Sequence, residues 1–117
     1  MPDAMAPTLR HLPLIGLLGL ALCTWPTAGQ AGDAAAGRQK ARQCQTCHGI
    51  DGIARIPIAP HIAGESEIYL VTQLKAFRSG KRTHEIMTVV AKDLTDEDMA
   101  DLAAWYAAIK FEVTLPE

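Results

Sequence analysis

The stretch Cys44-Gln45-Thr46-Cys47-His48 decides how the rest of this chain is interpreted. Two cysteines separated by two residues and followed at once by a histidine form the C-x-x-C-H pattern of covalent haem attachment in exported proteins. On one helical turn both thiols can reach the two vinyl-derived carbons of a single porphyrin, and the histidine then lies under the iron as an axial ligand. The motif therefore predicts one haem c, held by thioethers to Cys44 and Cys47 and ligated by His48.

The first 31 residues have the layout of a secretory signal peptide. Arg10 and His11 precede an apolar run over residues 12–23, and a stretch rich in small residues follows. A helix needs about 20 apolar residues to span a bilayer, so this run is too short, and an uncleaved anchor is the weaker interpretation. We expect cleavage after Ala31, which leaves residues 32–117 as one domain in the periplasm, without stable membrane insertion.

Cleavage also removes Cys23, so the mature domain keeps only the two cysteines of the motif. A disulfide, a thioredoxin-like redox pair and half of a zinc site are the other interpretations of that pair. A thioredoxin-like pair needs an upstream strand, whereas residues 34–43 favour a helix. Zinc needs two further ligands at suitable spacing, and the mature chain has no further cysteine.

Composition excludes some classes of protein and favours helices. The 117 residues carry 11 Lys plus Arg against 13 Asp plus Glu, a net charge of -2, so binding to nucleic acid through overall positive charge is not expected. Hydrophobic residues make up 49% but aromatic residues only 5%. A small domain with so little aromatic bulk often depends on a staple or a cofactor to complete its core, and a covalent porphyrin would supply that volume.

Three amphipathic segments predict an all-α domain. The first begins with Asp33 as N-cap and ends near residue 43; the second begins with Ser66 and ends before Gly80; the third begins with Thr95 and ends near residue 110. The segment 49–64, which is rich in Gly and Pro, is expected to wrap around the haem edge as a loop.

A glycine and a tryptophan predict how the first and last helices pack. Gly37, inside the first helix, indicates a close approach by another element. Trp105 places a large ring on the face of the third helix that could meet it. We therefore expect these two helices to cross at Gly37.

Four residues are candidates for the sixth ligand of the iron: Met87, Met99, His61 and His84. Met99 lies in helical register with apolar neighbours, which is typical of a core residue. Met87 is expected in a loop between the second and third helices, from which a thioether can approach the face opposite His48. The sequence favours Met87, with His84 as the alternative.

Several motifs taken together resemble the class I cytochromes c, and among them the small periplasmic c4 and c553 types. The ordered set covers nearly all of residues 32–117: the C-x-x-C-H motif, Pro60-His61-Ile62-Ala63-Gly64, Ser66-Glu67-Ile68-Tyr69-Leu70, Met87, Leu94-Thr95-Asp96-Glu97-Asp98 and Trp105-Tyr106.

The resemblance implies three to five helices around one covalently bound haem. It also implies that His48 binds iron through Nε2 while its other ring nitrogen donates to the carbonyl of Pro60, and that Met87 closes the far side. The chain departs from the pattern at His61, where an apolar residue is more usual, and at Thr83-His84, where an asparagine is common.

The expected function is that of an electron carrier and not of an enzyme. A filled sixth position leaves no open site for a substrate, and partner oxidases, reductases or dehydrogenases would dock transiently. Two alternatives stay open. One is a five-coordinate haem enzyme or sensor in which Met87 is detached, and the other is a haem c subunit of a larger dehydrogenase or oxidase complex.

Overall fold

The computed structural model describes residues 31–117, so the predicted signal peptide, residues 1–31, lies outside the described residues except for Ala31. Across the described range the chain forms helices and no strand, which confirms the all-α prediction. The elements are α1 (Ala34–Lys40), a 3₁₀ turn (Ala41–Gln43), α2 (Gln45–His48), α3 (Glu67–Ser79), α4 (Met87–Lys92) and α5 (Asp96–Ala107). None of the helices in this part of the chain has the length and apolar character needed to cross a bilayer.

The predicted N-caps are confirmed at all three long segments. The Asp33 carboxylate accepts hydrogen bonds from the first-turn amides of α1 at 2.7 and 3.2 Å, and Ser66 Oγ accepts from the amide of the third residue of α3 at 3.2 Å. Thr95 and Asp98 form a capping box, in which each side chain accepts from the other residue's amide. Gly80, with φ at 78°, ends α3 in the left-handed conformation.

Two helix ends differ from the prediction. The first helix does not run unbroken to residue 43, because the Cys44 amide bonds to the Ala41 carbonyl at 2.9 Å, three residues back, and tightens the chain into a 3₁₀ turn. The last helix ends at Ala107 rather than near residue 110. The Tyr106 carbonyl there accepts from the amide of Gly64 at 2.8 Å, a tertiary bond, and from the Ile109 amide, three residues on, at 3.3 Å.

The segment between Gly80 and Thr95 was expected to be a loop, and this expectation is wrong. It contains α4, which begins at Met87. No Ser, Thr, Asp or Asn stands at its N-cap, which is Ile86, so the usual start signal is missing from the sequence. The imidazole of His84 provides the acceptor instead, at 3.2 Å from the Ile86 amide.

The predicted crossing of the first and last helices is confirmed. Gly37 is buried where α1 meets α5, and a Cβ added to it would overlap the carbonyl oxygen of Asp101 and contact the Cβ of Trp105. The two backbones therefore approach as closely as a glycine permits.

A buried carboxylate fixes both ends of α1 on α5. Asp101, only 5% exposed, accepts from the Asp33 amide at 2.7 Å and from Lys40 Nζ at 2.6 Å. Lys40 also pairs with Asp98 at 2.8 Å. Its ammonium group holds the pKa of Asp101 below the usual range and, with the Thr95 amide, lowers the pKa of Asp98 to about 2.

The core lies beneath α5. Met99 has no exposed surface, which confirms its prediction as a core residue. It packs in one cluster with residues from the 3₁₀ turn, from α3, from the segment before α5 and from α5 itself: Ala41, Leu70, Leu94, Leu102, Ala103 and Tyr106. The cluster therefore joins the first, middle and last parts of the described chain.

Gly37→Ala tests the close approach of α1 and α5. In an open helix this change gains up to about 1 kcal/mol in propensity, but here we expect a net loss of about 1–3 kcal/mol because the methyl group overpacks against α5. Gly80→Ala is the matched control, since that site has open space and costs only the strain of its positive φ, about 1 kcal/mol. A denaturant unfolding series in which Gly37→Ala costs less than Gly80→Ala would contradict the packing argument.

Acid titration tests the carboxylates around Lys40. The Asp98 pKa of about 2 lies below the unfolded value, so the stabilisation is complete above about pH 4 and disappears as the pH falls towards 2. Lys40→Met removes the largest cause of the depressed pKa. We expect the free energy of unfolding of this variant to fall less steeply between pH 5 and 2 than that of the wild type; parallel curves would show that the ion pairs do not act in this way.

Candidate haem site

The two cysteines of the motif lie on one helical turn. Cys44 is the N-cap of α2, and its carbonyl accepts from the amides of Cys47 at 3.3 Å and His48 at 3.0 Å. Both thiols are free and half-buried, while the His48 ring is buried at 8% exposure. This turn holds the three side chains in a fixed relation.

The environment of the cysteine pair argues against two of its other interpretations, a thioredoxin-like redox pair and half of a zinc site. Burial raises the pKa of the Cys44 thiol to about 11, so it is protonated at neutral pH, unlike the acidic thiol of a thioredoxin-like pair. The strand that such a pair needs does not occur in residues 31–117. Within the same residues, no group of three or more His, Cys, Asp or Glu side chains is arranged to hold a metal ion, as a zinc site would require.

A cavity of about 420 Å³ opens beside this turn. The segment 49–64 forms one of its walls, and α3, α4 and α5 provide others. Most of the lining is apolar, and it includes Ile56, Ile62, Leu70, Leu74, Val90 and Leu102. Both cysteines, His48, Pro60 and Met87 also line the cavity, so the structure brings together every residue that the sequence assigned to the site.

His48 is oriented by the main chain. Its Nδ1 lies 2.9 Å from the carbonyl oxygen of Pro60. A carbonyl oxygen can only accept, so Nδ1 carries the proton and the neutral ring keeps the lone pair of Nε2 free. The contact therefore selects the tautomer in which Nε2 can bind a metal.

The other two histidines of the cavity wall have the opposite tautomer. Nδ1 of His61 accepts from the Ala54 amide at 2.8 Å, and Nδ1 of His84 accepts from the Ile86 amide at 3.2 Å. In each neutral ring the proton is then on Nε2, which has no free lone pair. Among the histidines of residues 31–117, this hydrogen bonding leaves a ligating nitrogen only on His48.

The two methionines of the described chain lie in different environments. Met87 begins α4, is partly exposed and lines the cavity. Met99 is wholly buried in the cluster beneath α5 and is not part of the lining. The thioether available to a group in the cavity is therefore that of Met87.

Two aromatic residues of α5 fix the chain that leaves His48, a role that the sequence analysis missed. The Tyr106 hydroxyl donates to the Gly49 carbonyl at 3.1 Å, and Trp105 Nε1 donates to the Ile50 carbonyl at 2.9 Å. Buried Tyr and Trp side chains need such partners, so their polar atoms were a signal that an acceptor lies nearby.

The donor set and the walls fit a covalently held haem. Two free thiols, one imidazole with its Nε2 lone pair free and one thioether surround an apolar space, and these are the groups by which proteins hold haem c. No buried side-chain nitrogen or oxygen in the described residues lacks a hydrogen-bond partner, so the space needs no polar occupant.

Comparisons with known proteins agree with this site. The Cytochrome c family matches residues 34–109. Cytochrome c4 of Pseudomonas aeruginosa is 43% identical over 88% of this chain and 48% of its own, and cytochrome c-554(548) of Halomonas halodenitrificans is 47% identical over 67% of this chain and 98% of its own. The crystal structure of reduced recombinant cytochrome c4 from Pseudomonas stutzeri superposes with a TM-score of 0.65 at 37% identity, covering 71% of this chain and 48% of that one.

The chain thus spans about half the length of the two cytochrome c4 proteins and nearly all of cytochrome c-554(548). The family match includes α1 to α5 and the whole C-x-x-C-H turn. On this evidence the chain belongs to the cytochrome c family, as a class I c-type cytochrome of the c4 type.

Proposed function

We propose that the chain is a monohaem electron carrier of the periplasm, with His48 and Met87 as the axial ligands of the iron. The observation that carries the proposal is the bond from His48 Nδ1 to the Pro60 carbonyl, which frees Nε2 in a cavity that Met87 also lines. When bound, haem c supplies a one-electron Fe(III)/Fe(II) couple.

Each residue of the turn has a separate task in this proposal. Cys44 and Cys47 hold the porphyrin through thioethers, so the cofactor cannot dissociate. The Pro60 carbonyl fixes the orientation of the His48 ring and raises its basicity as a ligand. Since the sequence contains a single C-x-x-C-H motif, we assign one haem to this chain.

Whether Met87 binds the iron decides between an electron carrier and an enzyme. A thioether in the sixth position raises the reduction potential relative to a second histidine and leaves small molecules no open site. His84, the alternative ligand, would have to give up its hydrogen bond to the Ile86 amide before it could bind iron. Binding through Nε2 would also require the proton to move to Nδ1.

The proposed partners are redox proteins that meet this chain briefly. Weak, fast encounters through small interfaces are usual in electron transfer. Oxidases, reductases and dehydrogenases are the expected classes, and the predicted signal peptide is the basis for the periplasmic location.

Replacing each methionine in turn tests the axial ligation. Met87→Ala should abolish the methionine-to-iron charge-transfer band of the oxidised protein and lower the reduction potential. Met99→Leu, which conserves volume in the core, should keep both and cost less than about 1.5 kcal/mol in stability. A high-spin spectrum in the unaltered protein would instead favour the five-coordinate enzyme or sensor.

Replacing both Cys44 and Cys47 by Ala tests the structural role of the haem. We expect a mostly unfolded chain, because without the haem the apolar lining of the cavity of about 420 Å³ would lose its packing partner. Circular dichroism and the dispersion of the NMR spectrum measure the outcome. A well-dispersed spectrum from the haem-free variant would contradict the expectation, and Thr46→Ala, which keeps both thiols, is the control.

A further inference from the structure

We propose that His84 is the positioning residue for Met87, and that it acts by capping α4 with its imidazole. The inference rests on the proposed ligation by Met87. It assigns to His84 a role in the strength of that ligation without any bond between His84 and the iron.

His84 and the start of α4 form a closed set of hydrogen bonds. Nδ1 of His84 accepts from the amides of Ile86 at 3.2 Å and Met87 at 3.4 Å. In return the His84 amide donates to Thr88 Oγ1 at 2.9 Å, and the Thr88 amide donates to the His84 carbonyl at 3.0 Å. The arrangement is analogous to a capping box, with an imidazole as the acceptor.

The body of α4 packs on α3 and buries Ala91, but the N-cap residue of the helix makes no side-chain capping bond. The helix has six residues, a length at which a helix is marginal without tertiary support, and its N-cap Ile86 offers no side-chain acceptor. Met87 is its first residue, so the position of the thioether depends on the turn that His84 closes. If that turn frays, the sulfur atom is no longer held on the cavity wall.

Three variants test the proposal in the haem-loaded protein. His84→Ala removes the acceptor. His84→Asn restores one at the same reach, because an Asn oxygen bonds the amides two and three residues ahead. Glu85→Ala changes the exposed neighbour of His84 and is the matched control.

Two quantities are measured. The first is the concentration of added imidazole that displaces the thioether from the oxidised iron, as monitored by loss of the charge-transfer band. The second is the reduction potential. Loss of a cap predicts that His84→Ala keeps the band in buffer but loses it at an imidazole concentration roughly fivefold to tenfold lower. Its potential should also fall, because the thioether stabilises the reduced iron less. His84→Asn should return both values towards the wild type, and Glu85→Ala should leave them unchanged.

Two results would overturn the proposal. One is a His84→Ala protein that titrates with imidazole as Glu85→Ala does, and the other is a His84→Asn protein that behaves like His84→Ala. If His84→Ala does not fold, Thr88→Val replaces it, since that change removes only the hydroxyl that accepts from the His84 amide. A wild-type protein with no band, or a band that survives in Met87→Ala, refutes the ligation itself and the role of His84 with it.

Discussion

The close approach of α1 to α5 at Gly37 is the constraint on which the site depends. The chain passes from α1 through the 3₁₀ turn directly into the C-x-x-C-H turn, so an error in the seating of α1 would displace both cysteines. On the other side of the motif, Tyr106 and Trp105 hold the carbonyls of the next two residues. One helix, α5, therefore fixes the haem-binding turn from both directions. Its contact with α1 is tightly packed and also includes the buried carboxylate of Asp101, which pairs with Lys40.

Hydrogen bonding distinguishes three histidines that line the same cavity. His48, His61 and His84 all line this space, so lining it does not by itself decide which of them can bind a metal. The three rings differ in the main-chain group that is hydrogen-bonded to Nδ1. A main-chain carbonyl forces a proton onto His48 Nδ1, whereas main-chain amides keep protons off Nδ1 in the other two rings. The same local contacts that shape the loop and α4 thus decide which nitrogen is available to iron.

The sequence was sufficient where local signals were of the usual kind. Asp33, Ser66, Thr95 and Gly80 mark helix ends by their own backbone preferences, and the C-x-x-C-H motif is specific by itself. It was insufficient at α4, whose cap is a histidine, a residue absent from the common N-cap set. It was also insufficient at the end of α5, where residues 108–110 contain no helix breaker and the Tyr106 carbonyl accepts a tertiary hydrogen bond from the Gly64 amide. Such tertiary bonds are invisible to any local pattern.

The two sides of the cavity are supported by different kinds of atom. The ring of His48 is held by a hydrogen bond to the main-chain carbonyl of residue 60. Every amino acid at that position has this carbonyl, so a substitution there cannot remove the acceptor. The turn that carries Met87 is instead held by a hydrogen bond to the side chain of His84, a residue that is exposed and lies outside the core. A single substitution can therefore alter the support of Met87 far more easily than the support of His48. Natural selection could adjust the methionine side through single surface substitutions while the histidine side stays constant.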